Sequence, residues 1–244
     1  CNAEIYTSTL CTKVIKRNRI MKEYTLDEIN KLVFTYAEQD KLTFPGEFEH
    51  RLDVISSKIL YSLIREVKPQ VCMEFGTSWG GSALVILKAL EANDKPYKYI
   101  GFEIMDDLRR DATRNLLHWA IGKLPNKLDF ELYGDITKNV DKIPKELDFA
   151  FIDSDWDMGG IAKDQVGIAQ WTFENVIPRV KKGGLVAIHD WSVTKDLVYE
   201  GGSYPGIVYF IKLFKEGKMP LKKIFSDWEQ YKGSNIALSF WEKI

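Results

Sequence analysis

From Pro69 to the end of the chain, apolar runs of strand length alternate with amphipathic segments of helix length. That alternation is the signal for a parallel sheet covered on both faces by helices, and it leaves few other folds open. Strands are expected at 70–75, 98–104, 128–133, 148–153 and 184–190, with helices near 80–92, 106–121 and 165–181. The "KKGG" at 181–184 reads as the basic stop of the last of these helices. Two apolar-rich segments close the chain, "KKIFSDWEQY" and "NIALSFWEKI", joined by Lys232, Gly233 and Ser234. So short a connection suits a hairpin, and the sheet should end with an antiparallel strand. The expectation is an α/β fold with a doubly wound, mostly parallel seven-stranded sheet and a C-terminal antiparallel strand.

Helical spacing of apolar residues also marks Leu26 to Gln39 and Leu52 to Val67, separated by "TFPGEFEH". Thr25 and Glu28 have capping-box spacing ahead of the first of them. Three parts are therefore expected: a leader or N-terminal arm at 1–24, an N-terminal helical cap at 25–67, and a ligand-binding domain at 68–244. The balance of 34 Lys and Arg against 35 Asp and Glu gives no electrostatic reason to expect a nucleic acid or an anionic membrane as partner. No run approaches the roughly 20 apolar residues that span a bilayer. Three cysteines, Cys1, Cys11 and Cys72, form no disulfide framework, and Cys72 falls inside an expected buried strand. These features point to a reducing, cytoplasmic setting and small-molecule chemistry, and leave self-association into a homo-oligomer open.

Ligands of an open α/β sheet bind beyond the carboxyl ends of the strands, usually after the first one. There the sequence reads "VCMEFGTSWGGSAL", with Gly76, Gly80 and Gly81 in the turn. A dinucleotide fingerprint started at Gly76 needs glycine at 78, where the chain must approach a pyrophosphate, and this sequence has Ser78. Glu74, at the end of the first strand, would repel a pyrophosphate but could meet a cationic ligand. Glu103, at the end of the second, could accept hydrogen bonds from both hydroxyls of a ribose.

The run E-x-G-x-x-x-G-G-S from Glu74 to Ser82, with Glu103 in "FEI", resembles the cofactor site of class I S-adenosylmethionine-dependent methyltransferases. The resemblance spans about residues 50–244 and implies a Rossmann-like fold. It also implies that Gly76, Thr77, Ser78, Gly80, Gly81 and Ser82 lie under the methionine part of the cofactor and that Glu103 holds the ribose. Ile104, Asp135 and Ile136 would flank the adenine, with Asp153 bordering the same site.

A second group of polar residues follows strands four and five, in "FAFIDSDWD" and "LVAIHDW": Asp153, Asp155, Asp157, His189 and Asp190. Carboxylates crowded at the ends of apolar strands repel one another unless something cationic offsets them, and a divalent ion would do so. Hard oxygen donors with at most one imidazole suit Mg²⁺ or Mn²⁺. The pattern is similar to that of metal-dependent O-methyltransferases of the catechol type and of the macrocin or aminocoumarin sugar type. On that resemblance Asp153, His189 and Asp190 hold the metal and Asp155 is the general base. The sugar type is nearer, because catechol-type enzymes have a lysine where this chain has Trp156 and an asparagine where it has Trp191. His189 in place of an acid keeps a metal-free version open, with His189 or Asp155 as base. The acceptor, a hydroxyl of a sugar, polyketide or phenol, is expected above this cluster. Its walls would be Trp79, Trp156, Trp191 and a flap at "YEGGSYPG", Tyr199 to Gly206. The competing readings are a nicotinamide-dependent oxidoreductase and a binding protein that kept the fold without turnover.

Overall fold

A computed structural model describes residues 21–42, 52–120, 129–153, 165–190, 205–226 and 238–244. Thr25 caps helix α1 (Leu26–Val33) with the expected capping box: its hydroxyl accepts from the Glu28 N–H, and the Glu28 carboxylate accepts from the Thr25 N–H. Such a cap is worth about 1 kcal/mol. Past Val33 the backbone continues as a π-helical stretch, Phe34–Glu38. Asp53 caps α2 (Val54–Val67), accepting from the N–H groups of Ile55 and Ser56 at 2.7 and 3.0 Å, and left-handed Lys68 ends it.

The sheet and its remaining helices follow in the order β1 (Val71–Phe75), α3 (Gly81–Ala92), β2 (Lys98–Phe102), α4 (Asp106–Ala120), β3 (Phe130–Tyr133) and β4 (Leu147–Ile152). Then come α5 (Gln165–Asn175), β5 (Val180–Ile188), α6 (Pro205–Lys215), β6 (Leu221–Ser226) and β7 (Ser239–Lys243). In space the strands run β3-β2-β1-β4-β5-β7-β6, with β7 antiparallel to both of its neighbours. The chain leaves β1 for β2 on one side and later returns to place β4 on the other. The strand order therefore reverses at β1, and a crevice opens beyond its carboxyl end. Residues 21–24 border the far edge: the Tyr24 N–H donates to the Ile224 carbonyl at 2.7 Å, and the Met21 N–H to Glu242 Oε1 at 3.0 Å.

Side chains of a strand alternate between its faces, and here they divide one core into two halves. Cys72, Tyr99, Phe149, Phe151 and Leu185 pack with Ile59, Leu63 and Leu84 of α2 and α3. Met73, Ile100, Ala150, Ile152 and Val186 pack with Ala169, Ile207 and Phe210 of α5 and α6. By this alternation Glu74 lies on the face of Cys72, toward α3.

Three expectations about elements are corrected. The helix expected to 181 stops at Asn175, and "KKGG" lies inside β5, where Lys181 pairs with Asp148 at 3.0 Å. The glycines form a bulge: the register jumps from Leu147↔Val180 to Phe149↔Leu185, Gly183 has φ +78°, and a Cβ on Gly184 would meet the Lys181 carbonyl at 2.9 Å. Second, β5 ends at Ile188 and β2 at Phe102, so Glu103, His189 and Asp190 belong to the turns beyond the strands. Third, Pro205 and Gly206, expected at the end of a flap, open a helix, with Pro205 at its first position. The hairpin connection at Lys232–Ser234 lies outside the described residues, as do Tyr199 to Tyr204.

Gly101 in β2 has no room for a side chain, since a Cβ there would meet Thr77 Oγ1 and Leu132 Cδ2 at 2.5 Å each. Gly101→Ala should therefore destabilise the fold by roughly 1–3 kcal/mol through overpacking. The expected result is a melting temperature lower by several degrees, about 2–4 °C per kcal/mol for a chain of this size.

Candidate active site

The turn after β1 is held in an unusual backbone shape. Gly76, Ser78 and Gly80 have φ of +89°, +48° and +93°, a region that is cheap for glycine and costly for serine. Its N–H groups are occupied locally: those of Gly76 and Thr77 donate to the Phe102 carbonyl at 2.9 and 3.1 Å, and that of Gly80 to Thr77 O at 2.9 Å. Gly81 opens α3, and Gly80 is its N-cap. Helix α4 backs the turn, with Asn115 Nδ2 donating to the Trp79 carbonyl at 3.2 Å.

Glu103 provides the strain relief at Ser78. Its Oε2 accepts from the Ser78 N–H at 2.7 Å and its Oε1 from the Met105 N–H at 2.9 Å. Both carboxylate oxygens are thus engaged by backbone N–H groups, one of them in the glycine turn. Ile104, next in the chain, is 55% exposed at the same rim. Asp135 is engaged nearby, accepting from the Thr137 N–H and hydroxyl at 2.9 and 2.7 Å, while Ile136 is buried in the core.

Glu74 differs from the sequence expectation in placement. It is completely buried, and its two oxygens accept from the hydroxyls of Ser82 and Tyr99. Burial pushes its carboxyl up to about 8; the Ser82 and Tyr99 bonds oppose that rise, and the nearby charges of Asp153 and Glu103 add to it. The acid therefore lies beneath the turn and not along its open edge. Sequence reasoning missed Tyr99. A tyrosine inside a buried strand needs a partner for its hydroxyl, and that signal was available.

Across the crevice, Asp153 and His189 extend the strand ladders: the Asp153 N–H donates to the Phe75 carbonyl at 2.8 Å and the His189 N–H to that of Ile152 at 3.0 Å. This places Asp153 beside the glycine turn and His189 one strand further out. His189 Nδ1 lies 2.9 Å from Asp153 Oδ1 and 3.4 Å from Asp190 Oδ2. Donor atoms of the three residues lie within 4.8 Å of one another, close enough to share a metal ion. Asp190 holds its position through a left-handed backbone, φ +58°. Burial alone would lower the imidazole's pKa, but the two carboxylates outweigh it and hold the group well above its ordinary value. Nothing among the described residues partners the buried His189 Nε2. Trp79 is partly exposed next to the turn. Asp155, Trp156, Asp157 and Trp191 lie outside the described residues.

With this geometry in place, residues 73–191 match the family model described as "Methyltransferase domain". Residues 73–191 carry a methyltransferase domain. The match contains the glycine turn, Glu103 and all three residues of the acid–imidazole cluster. No curated protein matches the chain by sequence.

Solved methyltransferases share the architecture. The O-methyltransferase TomG from Streptomyces achromogenes, involved in tomaymycin synthesis and solved with S-adenosylmethionine, is 12% identical, with a TM-score of 0.59 over 88% of this chain and 89% of its own. The O-methyltransferase from Bacillus cereus, solved with S-adenosylhomocysteine, is 13% identical with a TM-score of 0.57 over 90% and 92%. The methyltransferase PaMTH1 from Podospora anserina, also solved with S-adenosylhomocysteine, is 13% identical with a TM-score of 0.56 over the whole of both chains. At such identities the likeness is one of fold. No helix among the described residues is long and apolar enough to cross a membrane.

Proposed function

We propose that the chain transfers the methyl group of S-adenosylmethionine to a hydroxyl of a small molecule, a sugar, polyketide or phenol, at the cluster of Asp153, His189 and Asp190. The observation that carries this reading is the convergence of three donor atoms within 4.8 Å beside the glycine turn. Glu103 would hold the ribose, and Ile104, with the backbone at Asp135 and Ile136, would border the adenine. The free, buried Cys72 fits a reducing, cytoplasmic setting.

In this transfer the S–CH₃ bond breaks as an O–CH₃ bond forms, a neutral thioether leaves, and the hydroxyl proton must go to a base. The sulfonium is already activated, so the protein's task is to align the acceptor oxygen and remove its proton. Two carboxylates and one imidazole fit a hard divalent cation such as Mg²⁺ or Mn²⁺. Bound there, the ion would lower the acceptor hydroxyl's pKa. One observation favours a second reading, without metal: the Asp153–His189 contact orients an imidazole whose Nε2 has no partner among the described residues. In that version His189 accepts the proton only in its neutral form, which Asp153 and Asp190 disfavour near neutrality, so turnover should rise with pH. Asp153 stabilises the resulting imidazolium. Asp155 remains a candidate base in either version.

The test is methyl transfer from labelled S-adenosylmethionine to a library of hydroxyl acceptors, with Mg²⁺ and with chelator. Turnover abolished by chelator supports the metal, and turnover indifferent to it supports the His189 base. Tight binding of a nicotinamide dinucleotide without binding of S-adenosylmethionine would overturn both. Glu103→Gln should weaken S-adenosylmethionine by roughly 10–100-fold in calorimetry, because charge-assisted bonds to the ribose become neutral ones.

A further inference from the structure

Tyr99 is completely buried in β2, where its backbone pairs with Cys72 of β1 on one side and Phe130 of β3 on the other. Its ring lies on the α3 side of the sheet, in the same half of the core as Cys72. Two residues on, on the same face, stands Gly101, the register partner of Glu74. A Cβ on Gly101 would come within 2.5 Å of Thr77 Oγ1 and 3.2 Å of the Tyr99 hydroxyl. The space left by this missing side chain is where the two hydroxyls meet. Tyr99 donates to Glu74, Ser82 donates to the other oxygen of Glu74, and the Thr77 hydroxyl donates to the Phe102 carbonyl at 3.5 Å. Glu74 precedes the glycine turn and Ser82 follows it in the first turn of α3, so the buried carboxylate, held in place by Tyr99, ties the two ends of the turn together.

Resting on the reading that this turn takes S-adenosylmethionine, we infer that Tyr99 is a positioning residue, which acts through Glu74 and its bond to Ser82 to hold the cofactor turn in its binding shape. The turn contains three positive-φ residues in five, a shape that persists only where the surroundings over-determine it. A clasp from beneath does that without occupying the cofactor's space. The groups facing Glu74 are Tyr99 of β2, Ser82 of α3, Glu103 beyond β2 and Asp153 beyond β4. Tyr99 and Ser82 bond the carboxylate directly, while Glu103 and Asp153 act on it as charges.

The experiment is calorimetry of S-adenosylmethionine binding to the full chain and its Tyr99→Phe, Glu74→Gln and double variants from about pH 6 to about pH 9, a range that brackets the Glu74 carboxyl raised to about 8. Tyr99→Phe is expected to raise Kd roughly tenfold or more, and to move the pH midpoint of binding upward, because Glu74 loses a donor to its ionised form. In the Glu74→Gln background the same change should have little further effect, the signature of action through Glu74. An unaltered Kd and midpoint in Tyr99→Phe, or fully additive losses in the double variant, would overturn the inference. Should Tyr99→Phe fail to fold, Tyr99→3-fluorotyrosine keeps the shape with a stronger donor and must move the midpoint downward; an unmoved midpoint then overturns it. Absence of binding by the unaltered chain would sink the cofactor reading itself, a result distinct from any of these.

Discussion

Asp153→Asn is expected to lower methyl transfer by about 10²–10⁴-fold, the usual contribution of a positioned acid–base group, while S-adenosylmethionine still binds within a few-fold of the unaltered chain. The side chain keeps its shape, and the backbone bond to the Phe75 carbonyl at 2.8 Å is untouched, so the loop should hold. Only the charge is removed. That charge serves the cluster twice, as one of three donor atoms within 4.8 Å and as the partner of His189 Nδ1 at 2.9 Å. Steady-state kinetics with Mg²⁺ varied separates the roles. Partial rescue by excess Mg²⁺ marks a ligand, whereas a loss indifferent to metal with an altered pH profile marks a partner of the histidine base. Normal turnover would remove the cluster from the chemistry altogether. A collapse of cofactor binding would assign Asp153 to the cofactor site instead.

The parts of this architecture that were legible in the sequence are those governed by local rules. Alternating apolar runs and amphipathic segments gave β1 to β5 and the helices between them, since a two-sided buried strand needs a continuous apolar run. The Thr25–Glu28 capping box was readable for the same reason, being a bond between groups three residues apart. The failures are non-local. Inside "KKGG" the Lys181–Asp148 ion pair and the bulge at Gly183 and Gly184 extend β5, and nothing near the motif in sequence reveals Asp148 as a partner. Helix α6 was hidden because "IVYFIKLF" is apolar enough to read as a strand or a buried helix, and Pro205 and Gly206 look like turn residues. In the site, the residue types and their order around the strand ends were visible, yet their directions were not. Glu74 was placed by strand alternation on the α3 face, away from the open crevice. Recognising that required knowing that Tyr99 and Gly101 stand beside it.

The buried carboxylate has a measurable consequence for stability. In the folded chain burial pushes the Glu74 carboxyl up to about 8 from an ordinary value of 4.5. Below pH 4.5 the group is neutral in both states and costs nothing through its charge. Between 4.5 and 8 the unfolded chain releases the proton while the folded chain keeps it, so the folded state binds more protons and stability falls as pH rises. Above 8 both are ionised and the penalty stays constant. Glu74→Gln removes the titration, and the amide can still bond Ser82 and Tyr99. Its stability relative to the unaltered chain should therefore rise across that window, by an order of a few kcal/mol, and level off above it. Paired denaturant melts at pH 5, 7 and 9, chosen as round values about the ordinary and raised carboxyl ranges, check this; a constant difference would show that Glu74 is ionised throughout. The same variant should bind S-adenosylmethionine less tightly. A cation settling above the turn favours the ionised acid, so binding near neutrality should release a proton in the unaltered chain and none through this group in Glu74→Gln. Calorimetry in buffers of different ionisation enthalpy measures that release. On the proposed reading of the turn as the cofactor site, a carboxylate held at the edge of ionisation beneath it trades stability of the free chain for charge complementarity that develops when the sulfonium arrives.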